Sequence, residues 1–272
     1  MRRTRIVTLT TDIGWAYAAQ MKAVLARRAP SVRVVDIAHD VTPHAIREAA
    51  FVLGHVAPQF PPGTVHVAVV DPGVGGSSRA PVAVRTVDGS HLVGPDNGVL
   101  SLACRALGGG RAVRLDVTRL APGGRSSATF EGRDVFAPAA AALAMGRPLG
   151  RLGVPHRLRD LALPTAHRTG TAATGEVVYV DVFGNAVTNL APDSIPLGAA
   201  KVSLRAGRRR AGEVEVWRTY EDGRVGDLGL LVSSFGWLEV AERNGSAARR
   251  LSLAPGSRVT VRPRLRAGEA VN

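Results

Sequence analysis

The sequence predicts an α/β N-terminal domain with a largely parallel or mixed sheet, followed by a small C-terminal β-barrel domain. Two observations lead to this prediction. Over the first 165 residues, short apolar runs of strand length alternate with amphipathic runs of helix length, which is typical of an α/β domain. From residue 175 onward, extended runs follow one another closely and are separated by Gly, Asn, Asp and Pro, which is typical of a small barrel or sandwich.

The elements of the first domain follow from local patterns. Strands are predicted at 6–9, 32–37, 64–70, 81–87, 90–93 and 111–117. Helices are predicted at 14–30, 43–57, 99–107 and 133–145. The first helix has Tyr17, Met21, Val24 and Leu25 at helical spacing, and Gly146 with Pro148 ends the last one.

The residue composition and the pattern of apolar runs change near residue 165. Residues 166–174 are polar and poor in large apolar side chains, so they are predicted to link a domain of residues 1–165 to one of residues 175–272. In the second domain, strands are predicted at 175–181, 200–204, 213–218, 228–233, 237–241 and 258–261, with a short helix at 247–251.

The composition argues against several classes of function. The formal net charge is +13, but Lys22 and Lys201 are the only lysines among 35 basic residues, and the arginines are scattered. This bias is typical of GC-rich codon usage, so nucleic-acid binding is not expected. No apolar run is long enough for a signal peptide or a membrane span, and a cytoplasmic location is expected.

Cysteine and histidine usage bears on metals and disulfides. Cys104 is the only cysteine, so the chain can form no internal disulfide and no cysteine-based zinc site. The seven histidines show no zinc-ligand spacing, so no metal site is expected.

A glycine-rich turn at 69–76 is the most informative local feature. Its spacing is similar to that of a nucleotide-binding fingerprint, but such a fingerprint opens a helix. Here Pro81 and alternating apolar residues follow, which predicts a second strand. The turn therefore presents Asp71 at a strand end, where a carboxylate is expected to serve catalysis or ligand binding.

Three further loops of the first domain carry polar residues. Asp12 either caps the following helix or grips the two hydroxyls of a ribose. Residues 94–98 are best explained as a tight turn. For the loop that contains Glu131, helix capping by Asp134 with solvated neighbours is favoured over an acid or base role for Glu131.

In the second domain, Asp, Asn and Thr cluster around a glycine within residues 179–189. An asparagine side chain offers a donor and an acceptor, and can therefore recognise an adenine edge. A second polar segment spans residues 233–246.

Seven blocks in this order resemble the S-adenosylmethionine hydroxide adenosyltransferases, which are relatives of the fluorinase and chlorinase enzymes. The blocks are residues 9–12, 35–43, 69–75, 94–98, 130–138, 181–189 and 234–247. The resemblance implies an α/β domain, a β-barrel and a homotrimer, with a small nucleoside substrate bound at the subunit interface.

The resemblance also implies the reaction. A nucleophile attacks C5′ of the ribose of S-adenosylmethionine and displaces methionine as a neutral thioether. With water as the nucleophile, the products are adenosine and L-methionine. The protein needs only to align the nucleophile and remove a proton, so the resemblance implies no metal and no cofactor besides the substrate.

The family's binding residues fall on definite positions of this chain. Asp12 matches the acid that binds the ribose hydroxyls. Asp181 and Ser234 match groups near the methionine amine and carboxylate. Asn185 matches a residue that recognises the adenine. Phe235 stands where the halogenating relatives have an arginine, so carboxylate binding must differ there. The segment that lines the adenine matches Glu242, Arg243 and Asn244.

The hydroxide branch is favoured because Asp71 stands where the halogenases have a tyrosine, and because a carboxylate at Glu131 would repel a halide. That branch uses an Asp-Arg-His set to activate water. Asp71 matches the Asp, the Arg position falls on Ser78 with Arg79 one place later, and Glu131 holds the His position. Glu131 is therefore the candidate base and Arg79 the candidate counter-charge.

Two alternative functions remain open. The protein is either a non-catalytic protein that binds adenosine or the substrate, or an enzyme that transfers the adenosyl group to another nucleophile.

Overall fold

The computed structural model describes residues 5–120, 127–161, 163–196, 200–207 and 209–263. The chain divides into two compact units, Met1–Ala162 and Leu163–Asn272. Each unit has its own hydrophobic core. Among the described residues, no helix combines the length and the apolar character that crossing a membrane requires.

In its described residues, unit 1 has seven strands, all in one sheet. They are β1 (Arg5–Thr11), β2 (Val32–Ala38), β3 (Val65–Val69), β4 (Pro81–Thr86), β5 (His91–Pro95), β6 (Gly110–Leu115) and β7 (Gly153–His156). Their order is β2-β1-β3-β5-β4-β6-β7. The strands β2, β1, β3 and β5 are parallel, whereas β4 runs antiparallel to β5 and β6, and β7 antiparallel to β6. The prediction of a largely parallel or mixed sheet is confirmed.

Helices cover both faces of this sheet. They are α1 (Gly14–Arg28), α2 (Ile46–Val56), α3 (Ser101–Ala106), α4 (Val117–Leu120) and α5 (Ala137–Ala144), with a π-helical turn at Gly132–Phe136 directly before α5. One face packs against α1 and α5, and the other against α2 and α3. Val69 of β3 belongs to the first core, and the next residue, Val70, belongs to the second. This alternation explains why the central strand is apolar almost throughout.

Unit 2 forms a closed barrel. Its strands are β8 (His167–Thr169), β9 (Ala172–Val180), β10 (Ala186–Thr188), β11 (Lys201–Ala206), β12 (Arg209–Val216), β13 (Leu228–Val232), β14 (Leu238–Glu242) and β15 (Arg258–Pro263), with one helix, α6 (Ala247–Leu251). Seven strands pair in the order β10-β14-β13-β12-β11-β15-β9, and β9 pairs again with β10. The predicted small β-barrel is confirmed, and β8 extends the sheet from β9.

The structure differs from the sequence prediction at several boundaries. The predicted linker at 166–174 contains β8 and the start of β9, because its small and polar residues pair as strands. The units divide earlier, between Ala162 and Leu163. The helix predicted from Pro43 begins only at Ile46, since His44 adopts a positive φ of 67° that no α-helix accommodates.

Candidate active site

Asp71 lies in the connection between β3 and β4. Because β5 lies between these strands in the sheet, the connection passes over the carboxyl end of β5. Asp71 Oδ1 accepts the backbone N–H of Gly73 at 3.2 Å, and the Asp71 carbonyl accepts the N–H of Val74 at 3.3 Å. These bonds make a tight turn that leads into a strand, as predicted, and fix the carboxylate at the end of β3.

Asp71, Arg79 and Glu131 form one buried charged cluster. Arg79 Nε donates to Asp71 Oδ1 at 3.0 Å and its Nη2 donates to Asp71 Oδ2, while its Nη1 lies 2.6 Å from Glu131 Oε2. The side chains of Asp71, Arg79 and Glu131 are 5%, 3% and 6% exposed, respectively. The structure thus brings together the three residues predicted to be catalytic, although their catalytic role stays a prediction.

Arg79 compensates the charge of both acids. Burial acts to lower the pKa of the Arg79 guanidinium, but hydrogen bonds and Coulombic attraction from Asp71 and Glu131 outweigh this effect and raise the pKa. Arg79 is therefore a permanent cation between two carboxyl groups. With both carboxylates ionised, the cluster has a net formal charge of −1, which would attract a cationic ligand.

A glycine allows the two loops of this cluster to meet. Gly75 has a φ of +77°, and a Cβ placed on it would lie 2.6 Å from the backbone oxygen of Ala128. Only glycine tolerates both this conformation and this approach. The loop of Asp71 and Arg79 therefore lies directly against the segment that precedes Glu131.

The environment of Glu131 contradicts the favoured expectation for this loop. Glu131 is buried, and the π-helical turn that follows it has no side-chain cap. Asp134 does not cap a helix; its Oδ2 accepts the backbone N–H of Ser127 at 2.9 Å, and its carboxylate pairs with Arg133. The expectation of capping by Asp134 with solvated neighbours was wrong because the loop folds inward onto Arg79. π-helical turns of this kind recur at functional sites.

The loop at 94–98 supports the Asp71 loop at both ends. Asn97 Nδ2 donates to the carbonyl of Val70 at 2.8 Å, and the backbone N–H of Asp96 donates to the carbonyl of Ala80 at 2.8 Å. Asp96 also binds His156 Nε2 and the N–H of Arg159. Residues 94–95 complete β5 and residues 96–98 form a bend, which anchors the segment that carries Asp71 and Arg79.

Asp12 lies at the carboxyl end of β1, directly before α1. Its Oδ2 accepts the backbone N–H of His44 at 2.9 Å. The N-cap residue of α1 is Ile13, and no side chain caps this helix, so the capping interpretation of Asp12 was wrong. The ribose-binding interpretation of Asp12 stays a prediction.

Unit 2 carries a second polar cluster. Asp181 accepts hydrogen bonds from the backbone N–H groups of Phe183 and Asn185, at 3.0 and 2.8 Å, and from Asn185 Nδ2 at 2.9 Å. Asn185 Nδ2 also lies 3.5 Å from Tyr220 Oη, which donates to Glu239 Oε1 at 2.7 Å. Two predicted residues, Asp181 and Asn185, are therefore in contact, and the sequence reasoning missed Tyr220 and Glu239.

The other predicted binding residues of unit 2 lie on the turns that flank β14 and at its last residue. Ser234 is exposed, and the ring of Phe235 makes an edge contact with Tyr179 at a centroid distance of 5.8 Å. Glu242 pairs with Arg250 at 3.1 Å, and Arg243 pairs with Glu221 at 2.7 Å. Asn244 is exposed at a φ of +52°. Arg243 also binds the carbonyl of Tyr220, which connects this segment to the second polar cluster.

A metal-binding arrangement is not evident in the described part of the chain. There, no group of three or more His, Cys, Asp or Glu side chains is placed to hold a metal ion.

Fold and site together define a protein with an α/β unit that buries an acid–arginine–acid cluster and a barrel unit that carries a second polar cluster. The chain belongs to the SAM hydroxide adenosyltransferase family. It matches the N-terminal domain of that family over residues 7–153 and the C-terminal domain over residues 175–260. The resemblance seen in the sequence is confirmed.

Similar proteins cover nearly the whole chain. An (R)-S-adenosyl-L-methionine hydrolase of Salinispora tropica is 42% identical, covering 96% of this chain and 99% of its own. A protein of the same name from Thermus thermophilus is 42% identical, covering 93% and 97%. A fluorinase of Nocardia brasiliensis is 27% identical, covering 96% and 97%. A crystal structure of an uncharacterized conserved protein from Thermotoga maritima has a TM-score of 0.86 at 35% identity, covering 94% and 99%.

Proposed function

We propose that this protein hydrolyses S-adenosyl-L-methionine to adenosine and L-methionine, with water attacking C5′ of the ribose. The observation that carries the proposal is the buried Asp71–Arg79–Glu131 cluster. Two relatives at 42% identity are named S-adenosyl-L-methionine hydrolases, which supports the same chemistry here.

The protein has two tasks in this reaction, which are to align water with C5′ and to remove a proton from that water. The water oxygen forms a bond to C5′, the C5′–S bond breaks, and its electron pair leaves with sulfur as a neutral thioether. One water proton passes to a carboxylate and then to solvent. In this proposal Glu131 accepts that proton, Asp71 orients the water, and Arg79 holds both carboxylates in place.

The charge of the cluster favours water over a halide. A halide beside Asp71 and Glu131 would be a third buried anion near a single guanidinium, which is costly. A sulfonium is a cation, so the negative net charge favours its approach. We propose that Asp12 holds the ribose hydroxyls. We further propose that Asp181, Asn185, Ser234, Phe235, Glu242, Arg243 and Asn244 bind the rest of the substrate.

Three further features belong to this proposal. The protein acts as a homotrimer with its site at the subunit interface, in line with the family resemblance. It needs no metal or other cofactor, and it works in the cytoplasm. Light scattering tests the trimer, and activity after exhaustive chelation tests the absence of a metal.

Product analysis in oxygen-18 water tests the reaction. The expected result is adenosine with the label in its 5′-hydroxyl, together with unlabelled methionine. Asp71→Asn and Glu131→Gln should each lower kcat at least about 100-fold, whereas Asp160→Asn, in an exposed ion pair with Arg105, should leave kcat unchanged. Substrate binding without product would indicate a non-catalytic binder, and turnover only with another nucleophile would indicate a different adenosyl transfer.

A further inference from the structure

The second polar cluster contains a buried acid that the substrate-binding prediction does not use. Glu239 lies on β14, is 3% exposed, and accepts the phenol O–H of Tyr220 at 2.7 Å. Its strand neighbours Leu238 and Val240 point into the barrel core. Glu239 therefore projects from the outer surface of the barrel, and the segment around Tyr220 covers it.

No positive charge compensates this acid within the described residues. Its cross-strand neighbours are Val187 on β10 and Leu231 on β13, and the charged group that faces it is Asp181. Burial raises the pKa of the Glu239 carboxyl, and the nearby Asp181 acts in the same direction, against the hydrogen bond from Tyr220. An apolar side chain of similar volume would be less costly at this place.

The burial of the Glu239 carboxyl is energetically unfavourable, but its hydrogen bond fixes the position of Tyr220. The backbone of Tyr220 is held by a capping box between Thr219 and Asp222 and by Arg243, which donates to the Tyr220 carbonyl at 3.2 Å. Glu239 fixes the other end of the residue through the phenol. The residue Tyr220 remains 44% exposed, and its Oη lies beside the amide of Asn185.

We propose that Glu239 is a positioning residue of the nucleoside site: through the phenol of Tyr220 it fixes the exposed Tyr220 ring and the adjacent amide of Asn185 in the geometry that binds a nucleoside. The ligand class rests on the proposed function. Glu239 itself does not contact the ligand, so its removal weakens binding by letting Tyr220 and Asn185 move.

Calorimetric titration with adenosine tests this role without requiring turnover. Tyr220→Phe and Glu239→Ala should each raise the Kd for adenosine about tenfold. The double variant should be no weaker than the worse single variant, since both changes break the same hydrogen bond. Glu239→Gln should restore affinity to within about threefold, because an amide oxygen still accepts from the phenol. Glu215→Gln, in an exposed pair with Lys201 on the same barrel, is the matched control.

Kinetics with S-adenosyl-L-methionine provide a second measure. We expect Tyr220→Phe and Glu239→Ala to raise KM and to change kcat less than about twofold, because neither residue touches the reacting atoms. Additive losses in the double variant, an unchanged Kd in Tyr220→Phe, or no binding of adenosine by the unmodified protein would overturn the inference. If the unmodified protein binds adenosine but releases no product, the hydrolase proposal fails while the positioning role is still decided by the Kd values.

Discussion

The side-chain amide of Asn97 donates to the backbone carbonyl of Val70 at 2.8 Å, one residue before Asp71. Asn97 Oδ1 also accepts the N–H of Val99, so the amide is held at both ends. The position of the Asp71 carboxylate thus depends on a residue that lies in a different loop and carries no charge.

Asn97→Ala should therefore affect both stability and rate. We expect a loss of about 1–2 kcal/mol in the free energy of unfolding, because a buried carbonyl loses its donor. We also expect kcat to fall more than KM rises, since the loop of Asp71 can then shift. Urea denaturation and steady-state kinetics measure the two effects. Thr118→Ala, which removes an exposed hydrogen bond to Asp116, is the control and should change neither.

The approach of Gly75 to Ala128 gives a second prediction. Gly75→Ala should cost about 2–3 kcal/mol, because the new Cβ would meet the Ala128 oxygen in addition to the strain of a positive φ. Gly89→Ala measures the strain of a positive φ alone, because Gly89 has a φ of +90° but nothing within 4 Å of an added Cβ. Equal losses of stability in the two variants would show that the loops do not depend on this contact.

Removal of the Arg79 guanidinium should be strongly destabilising. Arg79→Met removes the guanidinium that pairs with both buried carboxylates, Asp71 and Glu131, which should cost about 3–5 kcal/mol at pH 7. Arg105→Met breaks an ion pair whose side chains are 51% and 71% exposed, and should cost less than about 1 kcal/mol. Chemical denaturation of both variants gives the comparison, and similar losses would contradict the burial of the cluster.

His66 should make the protein sensitive to mild acid. Burial lowers the pKa of His66 to about 4, against a smaller opposite effect of Asp88. Above pH 6.5 the imidazole is neutral in both the folded and the unfolded chain. Between pH 6.5 and 4 only the unfolded chain binds the proton, so stability falls with falling pH, by about 3 kcal/mol from this group.

The variant His66→Gln separates this contribution from other titrating groups. Its free energy of unfolding should fall less steeply between pH 6.5 and 4 than that of the unmodified protein. His167→Gln changes an exposed imidazole and should leave the slope as it was. Parallel slopes for the unmodified protein and His66→Gln would show that His66 binds its proton equally well in the folded state.

Local patterns predicted most of the fold because its elements bury regular apolar faces. β3 is recognised as a continuous apolar run, and α1 is long enough for its helical periodicity to show. The strands β7, β8 and β10 have only three or four residues, too few for an alternation to be recognised. β8 in particular lies within the polar segment that the sequence assigned to a linker.

Local sequence patterns predicted less of the candidate site than of the fold. Asp71 and Glu131 lie 60 residues apart in the chain, and only the family resemblance placed them in one site. Local reasoning favoured a solvated loop for Glu131, because the chain around it mixes charges with glycine. Glu239 was missed for a related reason: in a strand with Leu238 and Val240 inward, an acid is expected in solvent, and only the covering segment at Tyr220 buries it.

The second pairing of β9, with β10, has a consequence for association between molecules. Where a strand of the barrel pairs on both sides, its backbone groups are bonded within the sheet and cannot accept a further strand from another chain. Among the described residues of unit 2, open borders remain along β8 and along the first part of β12, which pairs with β13 only at Glu215 and Val216. Outside these two borders, a subunit that docks on the barrel must be recognised by side chains, which confines the determinants of assembly there to substitutable surface positions.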